Sequence, residues 1–241
     1  MNLDNAISGT IVKKGQRDSY TFEGKLGQQL FYDTLNSTNS FQVTVYDPTG
    51  KLIDTFDSRS DRGVNNASLF LKMDGKYKVT VDGIGEATGD YKFRLLDRAL
   101  ANQIELDTDI TGKFIDNNGS PLQALSYKFD LSERKYIYFD GQAGANPNRY
   151  YVYDQVGQLV IDSAINQDNE LYLDTGSYWL VLAGNNNATN ADINYKVRVV
   201  DAIQSLTPLL NLDNAISGTI VKKGQRDSYT FEGKLGQQLF Y

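Results

Sequence analysis

Residues 2–32 (NLDNAISGTIVKKGQRDSYTFEGKLGQQLFY) return without a change at 211–241, a period of 209 residues (211 − 2). Self-similarity at a fixed spacing restricts a chain to arrays of like units more tightly than any local pattern does. The identity includes Lys and Gln positions of solvent-facing type, which a fold leaves free to vary, so the copy is a recent duplication of the gene. Met1 stands where the later copy has Leu210, and the chain is expected to be a window on a longer array.

Inside that period lies an older repeat of about half the length. Leu3-Asp4 and Ile7-Ser8-Gly9 match Leu106-Asp107 and Ile110-Thr111-Gly112. Tyr20-Thr21-Phe22 matches Tyr127-Lys128-Phe129, and Phe31-Tyr32-Asp33 matches Tyr138-Phe139-Asp140. Val45-Tyr46-Asp47 with Gly50 matches Val152-Tyr153-Asp154 with Gly157. Gly75-Lys76-Tyr77 matches Gly176-Ser177-Tyr178, and Tyr91-Lys92-Phe93-Arg94 matches Tyr195-Lys196-Val197-Arg198. All keep their order, at offsets of 101 to 107 residues (176 − 75 and 127 − 20). That length suits one β-sandwich per unit. The expected organisation is module A over 1–102, module B over 103–210, and an incomplete start of a second A over 211–241.

Apolar and polar residues alternate through both units, with no helical period. In module A the alternation places strands at Ser19–Phe22, Gln29–Thr34, Phe41–Asp47, Leu52–Phe56, Ser68–Met73, Tyr77–Asp82 and Asp90–Asp97. In module B it places them at Ser126–Asp130, Tyr136–Asp140, Tyr150–Asp154, Leu159–Asp162, Glu170–Leu173, Tyr178–Ala183 and Tyr195–Asp201. Asp47-Pro48-Thr49-Gly50 reads as a tight hairpin turn, since Pro presets φ and Gly accepts a positive one. The fold class expected is all-β: two tandem jelly-roll-like antiparallel sandwiches and a partial third. Aligning the units assigns faces. Val43, Val45, Tyr150 and Val152 point inward, as do Tyr77, Val79, Val81, Tyr178, Leu180 and Leu182. Thr44, Tyr46, Lys78, Tyr151, Tyr153 and Trp179 then point outward.

Composition removes whole classes of function. The chain has no Cys and no His, hence no thiol nucleophile, imidazole base or zinc site of the usual kind. A formal net charge of −6 argues against nucleic acid, which needs a basic footprint. No apolar stretch approaches the ~18 residues of a membrane span, so no membrane insertion is expected.

The residues also resemble a family. Gly9–Asp33 (GTIVKKGQRDSYTFEGKLGQQLFYD), Val45–Asp54 (VYDPTGKLID), Gly75–Gly83 (GKYKVTVDG) and Gly89–Asp97 (GDYKFRLLD) follow one another as in bacterial pre-peptidase C-terminal domains. Module B departs in its opening, where Asn117–Gln123 replaces a short turn. The resemblance implies a jelly-roll-like sandwich of secreted bacterial proteins, similar to collagenase collagen-binding domains, with calcium bound in some members. Fold likeness does not itself fix function.

Two candidate sites emerge. Asp47, Asp54, Asp57 and Asp61 are expected to crowd one end of the hairpin, and carboxylate oxygens are what Ca²⁺ prefers; turn capping is the competing explanation, since the spacing fits no EF-hand. Tyr151, Tyr153 and Trp179 would lie side by side on an outer face. Flat rings there would stack on a polysaccharide or on a strand of an extracellular matrix protein, or would cover a neighbouring repeat of the same chain. The acidic residues sit in turns and at strand ends, and no phosphate loop or Ser–Lys pair is present, so no catalytic residues are expected. The role expected is a spacer, adhesive or ligand-binding repeat of a large secreted or cell-surface bacterial protein, its export signal outside this sequence. The alternative is an accessory C-terminal domain of a secreted peptidase.

Overall fold

The computed structural model describes residues 1–61, 68–114, 123–144, 148–184, 193–202 and 209–240. The Asn117–Gln123 departure and the Ile203–Leu210 connection fall largely outside them. Among the described residues eight strands form between Ile7 and Asp97: β1 (Ile7–Ile11), β2 (Arg17–Gly24), β3 (Gln29–Ser37), β4 (Phe41–Tyr46), β5 (Leu52–Asp57), β6 (Leu69–Phe70), β7 (Gly75–Gly83) and β8 (Gly89–Asp97). They make a front sheet in the order β1-β8-β3-β6 and a back sheet in the order β2-β7-β4-β5. Alternation puts Leu30 and Tyr32 of β3, Val43 and Val45 of β4, and Val79 and Val81 of β7 into one buried cluster between the sheets.

The older repeat is visible in the topology. After a 3-10 turn (Arg98–Leu100) come β9 (Asn102–Gln103), β10 (Asp109–Phe114), β11 (Leu125–Leu131), β12 (Lys135–Ala143), β13 (Arg149–Tyr153), β14 (Leu159–Ala164), β15 (Asn169–Leu173), β16 (Gly176–Ala183) and β17 (Ile193–Asp201). The front sheet is β10-β17-β12-β15 and the back sheet β14-β13-β16-β11-β9. Strand for strand this copies the first sandwich, with β9 added. β9 runs parallel to β11 through Tyr127–Asn102 and Lys128–Gln103, so the connection between the sandwiches is itself built into the second back sheet. Tyr150, Val152, Leu180 and Leu182 line the second core, facing inward as the alignment requires.

β1 and β10 escape the strand assignment from sequence because a glycine sits at the centre of each. The reason for the glycine is a cross-strand tyrosine. Gly9 pairs with Tyr91 and Gly112 with Tyr195, and a Cβ would come 2.2 Å from Tyr91 Oη or 2.3 Å from Tyr195 Oη. Each ring folds over its glycine and its hydroxyl meets a second tyrosine: Tyr91–Tyr20 at 2.6 Å and Tyr195–Tyr127 at 2.9 Å.

Residues 209–240 contain no strand among the described residues, only isolated bridge positions, Leu209 and Thr230 pairing in parallel among them. Phe31 is wholly buried while Phe240, at the same place in the identical segment, is fully exposed. Side-chain burial of this segment therefore depends on the strands it would pair with, and not on its own sequence.

Candidate functional site

The outer face of the first front sheet packs on the outer face of the second back sheet, so four sheets lie in one stack. Phe31 and Leu96 come from β3 and β8, and Tyr151, Tyr153, Trp179 and Val181 from β13 and β16, closing a third buried cluster. Phe31 lies among three rings, its centroid 6.1 Å from Tyr151, 6.3 Å from Tyr153 and 6.3 Å from Trp179. Trp179 donates its indole N–H to Ser126 Oγ at 2.6 Å, which satisfies the one polar atom of the ring inside the seam.

Polar groups rim the aromatic centre. Gln29 Nε2 donates to the backbone oxygens of Asp154 (3.2 Å) and Gln155 (2.6 Å), and Ser68 Oγ to that of Gly157 (3.1 Å). Asp33 is buried without exposure and takes Arg94 Nε at 2.6 Å and the Ala124 backbone N–H at 3.1 Å. Arg94 Nη2 closes the ring by donating to Ala124 O at 2.7 Å. Burial lifts the Asp33 carboxyl to about 6, a push only partly offset by Arg94 and the Ala124 N–H.

This geometry corrects the expectation of an open platform and matches the alternative, in which the rings cover a neighbouring repeat. Tyr151, Tyr153 and Trp179 do lie side by side and do point out of their own sandwich, but they are buried. Alternation reports which side of its sheet a residue occupies; it is silent about a second body covering that side. The platform is thus filled by Phe31 and is not open to a sugar or a matrix strand.

The four aspartates correct another. Asp47 lies in the turn at one end of the β4–β5 hairpin, whereas Asp57 ends β5 at the other, five or six residues away at ~3.3 Å each. They do not crowd one end, because the hairpin is extended between them. Asp47 Oδ1 takes the Thr49 hydroxyl (2.6 Å) and the Thr49 and Lys51 N–H groups (both 2.9 Å), and these bonds, the Thr49 hydroxyl above all, hold its carboxyl below the usual range. Asp57 pairs with Arg59 and Ser40; burial pushes its carboxyl up, but these partners together bring it below the usual value. Asp54 Oδ1 takes the Thr55 N–H and Asp61 Oδ1 the Thr34 N–H, both at 2.8 Å. Among the described residues no three carboxylates gather as a metal site would require.

The front face of the second sandwich repeats the first in chemistry. Tyr138 and Asp140 occupy the places of Phe31 and Asp33. Residues 222–226 lie on them: Lys223 Nζ reaches Asp140 Oδ1 at 2.6 Å and Asp168 at 3.1 Å, and the Arg226 guanidinium sits 4.5 Å over the Tyr136 ring and 3.2 Å from Glu170. The seam residues Phe31, Asp33, Arg94 and Ala124 carry no recognisable motif. The signal for them is the run Leu30-Phe31-Tyr32, apolar in both registers, which marks a strand covered on both faces.

No family model and no curated protein matches the chain. Among solved structures it is similar to the pre-peptidase C-terminal domain of collagenase from Bacillus anthracis, at 19% identity and a TM-score of 0.33, over 41% of this chain and 93% of that one. It is also similar to the CUB1-EGF-CUB2 domains of human MASP-1/3 (11% identity, TM-score 0.24, 83% and 100% covered) and of rat MASP-1 (10%, 0.23, 80% and 96%).

Proposed function

We propose that the chain is a non-catalytic spacer of stacked sandwiches belonging to a large secreted or cell-surface bacterial protein. The observation that carries this reading is the burial of Phe31 and Trp179 against each other across two sandwiches. A flexible string of domains needs no such contact, and inter-domain motion is expected unless the interface is apolar. Here an aromatic centre is ringed by hydrogen bonds, and the connection between the bodies is folded into a sheet. Each sandwich keeps its own core, so force applied to the ends meets separate units joined by a stiff seam. The polar groups of greatest interest for chemistry are consumed in structure: Asp33 by Arg94 and Ala124, Asp47 by its turn.

Small-angle scattering tests the reading. A single well-defined inter-module distance is expected for the chain as it stands, and a broad distribution for Phe31→Asp. A broad distribution in the unmodified chain would reject a stiff spacer.

A further inference from the structure

The sequence Lys-Lys-Gly-Gln-Arg stands at 13–17 and again at 222–226, and it keeps one shape in both places. The Gln16 N–H donates to Lys13 O and the Gln225 N–H to Lys222 O, each at 3.1 Å. The glutamine side chain closes the turn alike: Gln16 Nε2 donates to Thr10 O and Gln225 Nε2 to Thr219 O, each at 3.0 Å. Gly15 and Gly224 share a positive φ, 70° and 76°. At 13–17 the turn joins β1 to β2, whereas at 222–226 it forms with no strand on either side. Its own hydrogen bonds therefore set its shape, and a turn that needs no sandwich behind it is organised in advance for docking.

The partners of the turn differ between the copies. Lys14 meets Glu86 of its own sandwich, both groups open to water, and such a contact is weak. Lys223 instead reaches Asp140, whose side chain is only 4% exposed, and Asp168 beside it; a buried carboxylate is screened less. Lys222 reaches Asp107 at 2.6 Å, and Arg226 pairs with Glu170 while lying over the Tyr136 ring. Gly224 rests on Tyr138, where a Cβ would come 2.2 Å from the ring, while Gly15 has open space at the same place.

One exchange leaves Asp140 to the turn. Asp33 and Asp140 each stand across from an arginine, Arg94 and Arg198. Arg94 binds Asp33. Arg198, together with Lys196, binds Asp109, which occupies the place of Ala6. The sheet's own cations are thus taken up by Asp109, and the turn supplies those for Asp140, Asp168 and Glu170. The placement repeats the aromatic seam. Ala124, at the end of the β10–β11 connection, donates its N–H to Asp33, and residues 222–226 are the corresponding connection of the next A-type segment. In both contacts the first connection of one unit rests on the buried aspartate of the unit before it.

We propose that the front face of the second sandwich (Tyr138, Asp140, Asp168, Glu170) is the receptor for the basic turn of the A-type segment that follows it, and that this joint is an ionic latch released by salt, unlike the aromatic seam between the sandwiches. As a joint within a spacer it rests on the reading above; the docking of the turn does not.

The test is nuclear magnetic resonance of the full chain, read at the Gly224 amide and at the indole N–H of Trp179, the chain's single tryptophan. Raising salt from about 0.01 M to about 1 M shortens the screening length from about 30 Å to about 3 Å. The Gly224 resonance should then move most of the way to its position in a Lys223→Ala, Arg226→Ala chain, while the Trp179 resonance stays fixed. At low salt Arg226→Glu should move Gly224 in the same direction, and adding Glu170→Arg should bring it back. The same change in the first copy, Arg17→Glu, should leave Gly224 in place. A Gly224 resonance indifferent to salt or to Arg226→Glu, a charge swap that does not restore it, or a Trp179 resonance that moves along with it would each overturn the latch. Failure of the spacer reading would appear instead in the scattering of the unmodified chain at low salt, with the Gly224 response intact.

Discussion

Phe31 of the first sandwich and Trp179 of the second meet edge to face, with ring centroids 6.3 Å apart and no exposed surface on either. The identical segment at 211–241 offers an internal comparison, because Phe240 has the same neighbours in sequence and is fully exposed. Phe240 lacks strand partners as well as a covering sheet, whereas Phe31 is held in β3 by its pairing with β8 and covered by Tyr151, Tyr153 and Trp179 of the second sandwich, so its removal should be felt by both bodies.

Phe31→Ala is expected to lower the stability of the stack by about 3–5 kcal/mol, the cost of emptying a large buried aromatic site. Phe240→Ala should change it by less than about 0.5 kcal/mol, as exposed substitutions do. Urea unfolding followed by Trp179 emission measures both. The Phe31 variant should also emit further to the red before unfolding begins, since water reaches the indole once the seam loosens. Equal effects of the two substitutions would contradict a buried seam.

Asp33 makes the seam sensitive to pH. Its carboxyl is raised to about 6 in the folded chain by burial, so between the ordinary aspartate range and about 6 the folded state holds the proton more tightly than the unfolded one. The stability contributed by that proton is fully present below the ordinary carboxyl range and is lost as pH rises through about 6. Carboxylates held low, such as Asp57 and Asp168, act in the opposite sense, so the comparison must be internal. Asp33→Asn should gain on the parent chain, by on the order of 1–3 kcal/mol, between pH 4 and pH 7. A difference in melting temperature that stays flat over this range would mean that Asp33 is ionised throughout.

How far the sequence carries is seen at β13 and β16. The core registers, Val43 and Val45 in one unit and Tyr150 and Val152 in the other, follow from alternation because each sandwich buries one side of every strand in its own interior. The outward direction of Trp179 is legible in the same way. Its burial is not, since the covering side chain, Phe31, lies 148 residues earlier (179 − 31) and no local pattern encodes that distance. A trace does exist: where the first unit has Thr44, Lys78 and Thr80, the second has Tyr151, Trp179 and Val181. Polar-to-apolar exchange along one outer face marks a face that has left water. Asp33 was hidden for a different reason, because a lone acidic residue beside an apolar run reads as a strand end until its partners Arg94 and Ala124 are known.

The glycines of β1 and β10 give a test of the repeat itself. Gly112→Ala puts a methyl group 2.3 Å from Tyr195 Oη, so the ring must move and its 2.9 Å bond to Tyr127 is strained or lost. Overpacking of this kind costs about 1–3 kcal/mol. Tyr195→Phe removes the nearest atom and should recover part of the loss, making the double variant more stable than the sum of the singles. Gly9→Ala with Tyr91→Phe should behave alike in the first sandwich. Additive effects in either pair, measured by urea midpoints, would mean that the glycine serves something other than the tyrosine above it.

The hairpin turns decide between capping and calcium. Asp154 Oδ1 takes the Val156 and Gln158 N–H groups, each at 2.9 Å, repeating the bonds of Asp47 to Thr49 and Lys51. A carboxylate so engaged already has its acceptor sites directed into the turn. Asp154→Ala should therefore cost about 1.5–3 kcal/mol, the range for hydrogen bonds to a charged group. Asp47→Ala should lower the melting temperature at neutral pH. Because the Asp47 carboxyl is held below the usual range, its contribution is present above that range and fades as pH falls through the lowered value, so the variant and the parent should converge in acid. Adding Ca²⁺ or a chelator should leave the melting temperature of the parent chain unchanged. A drop on chelation that Asp47→Ala abolishes would show instead that the turn holds a cation and that its hydrogen bonds rearrange to do so.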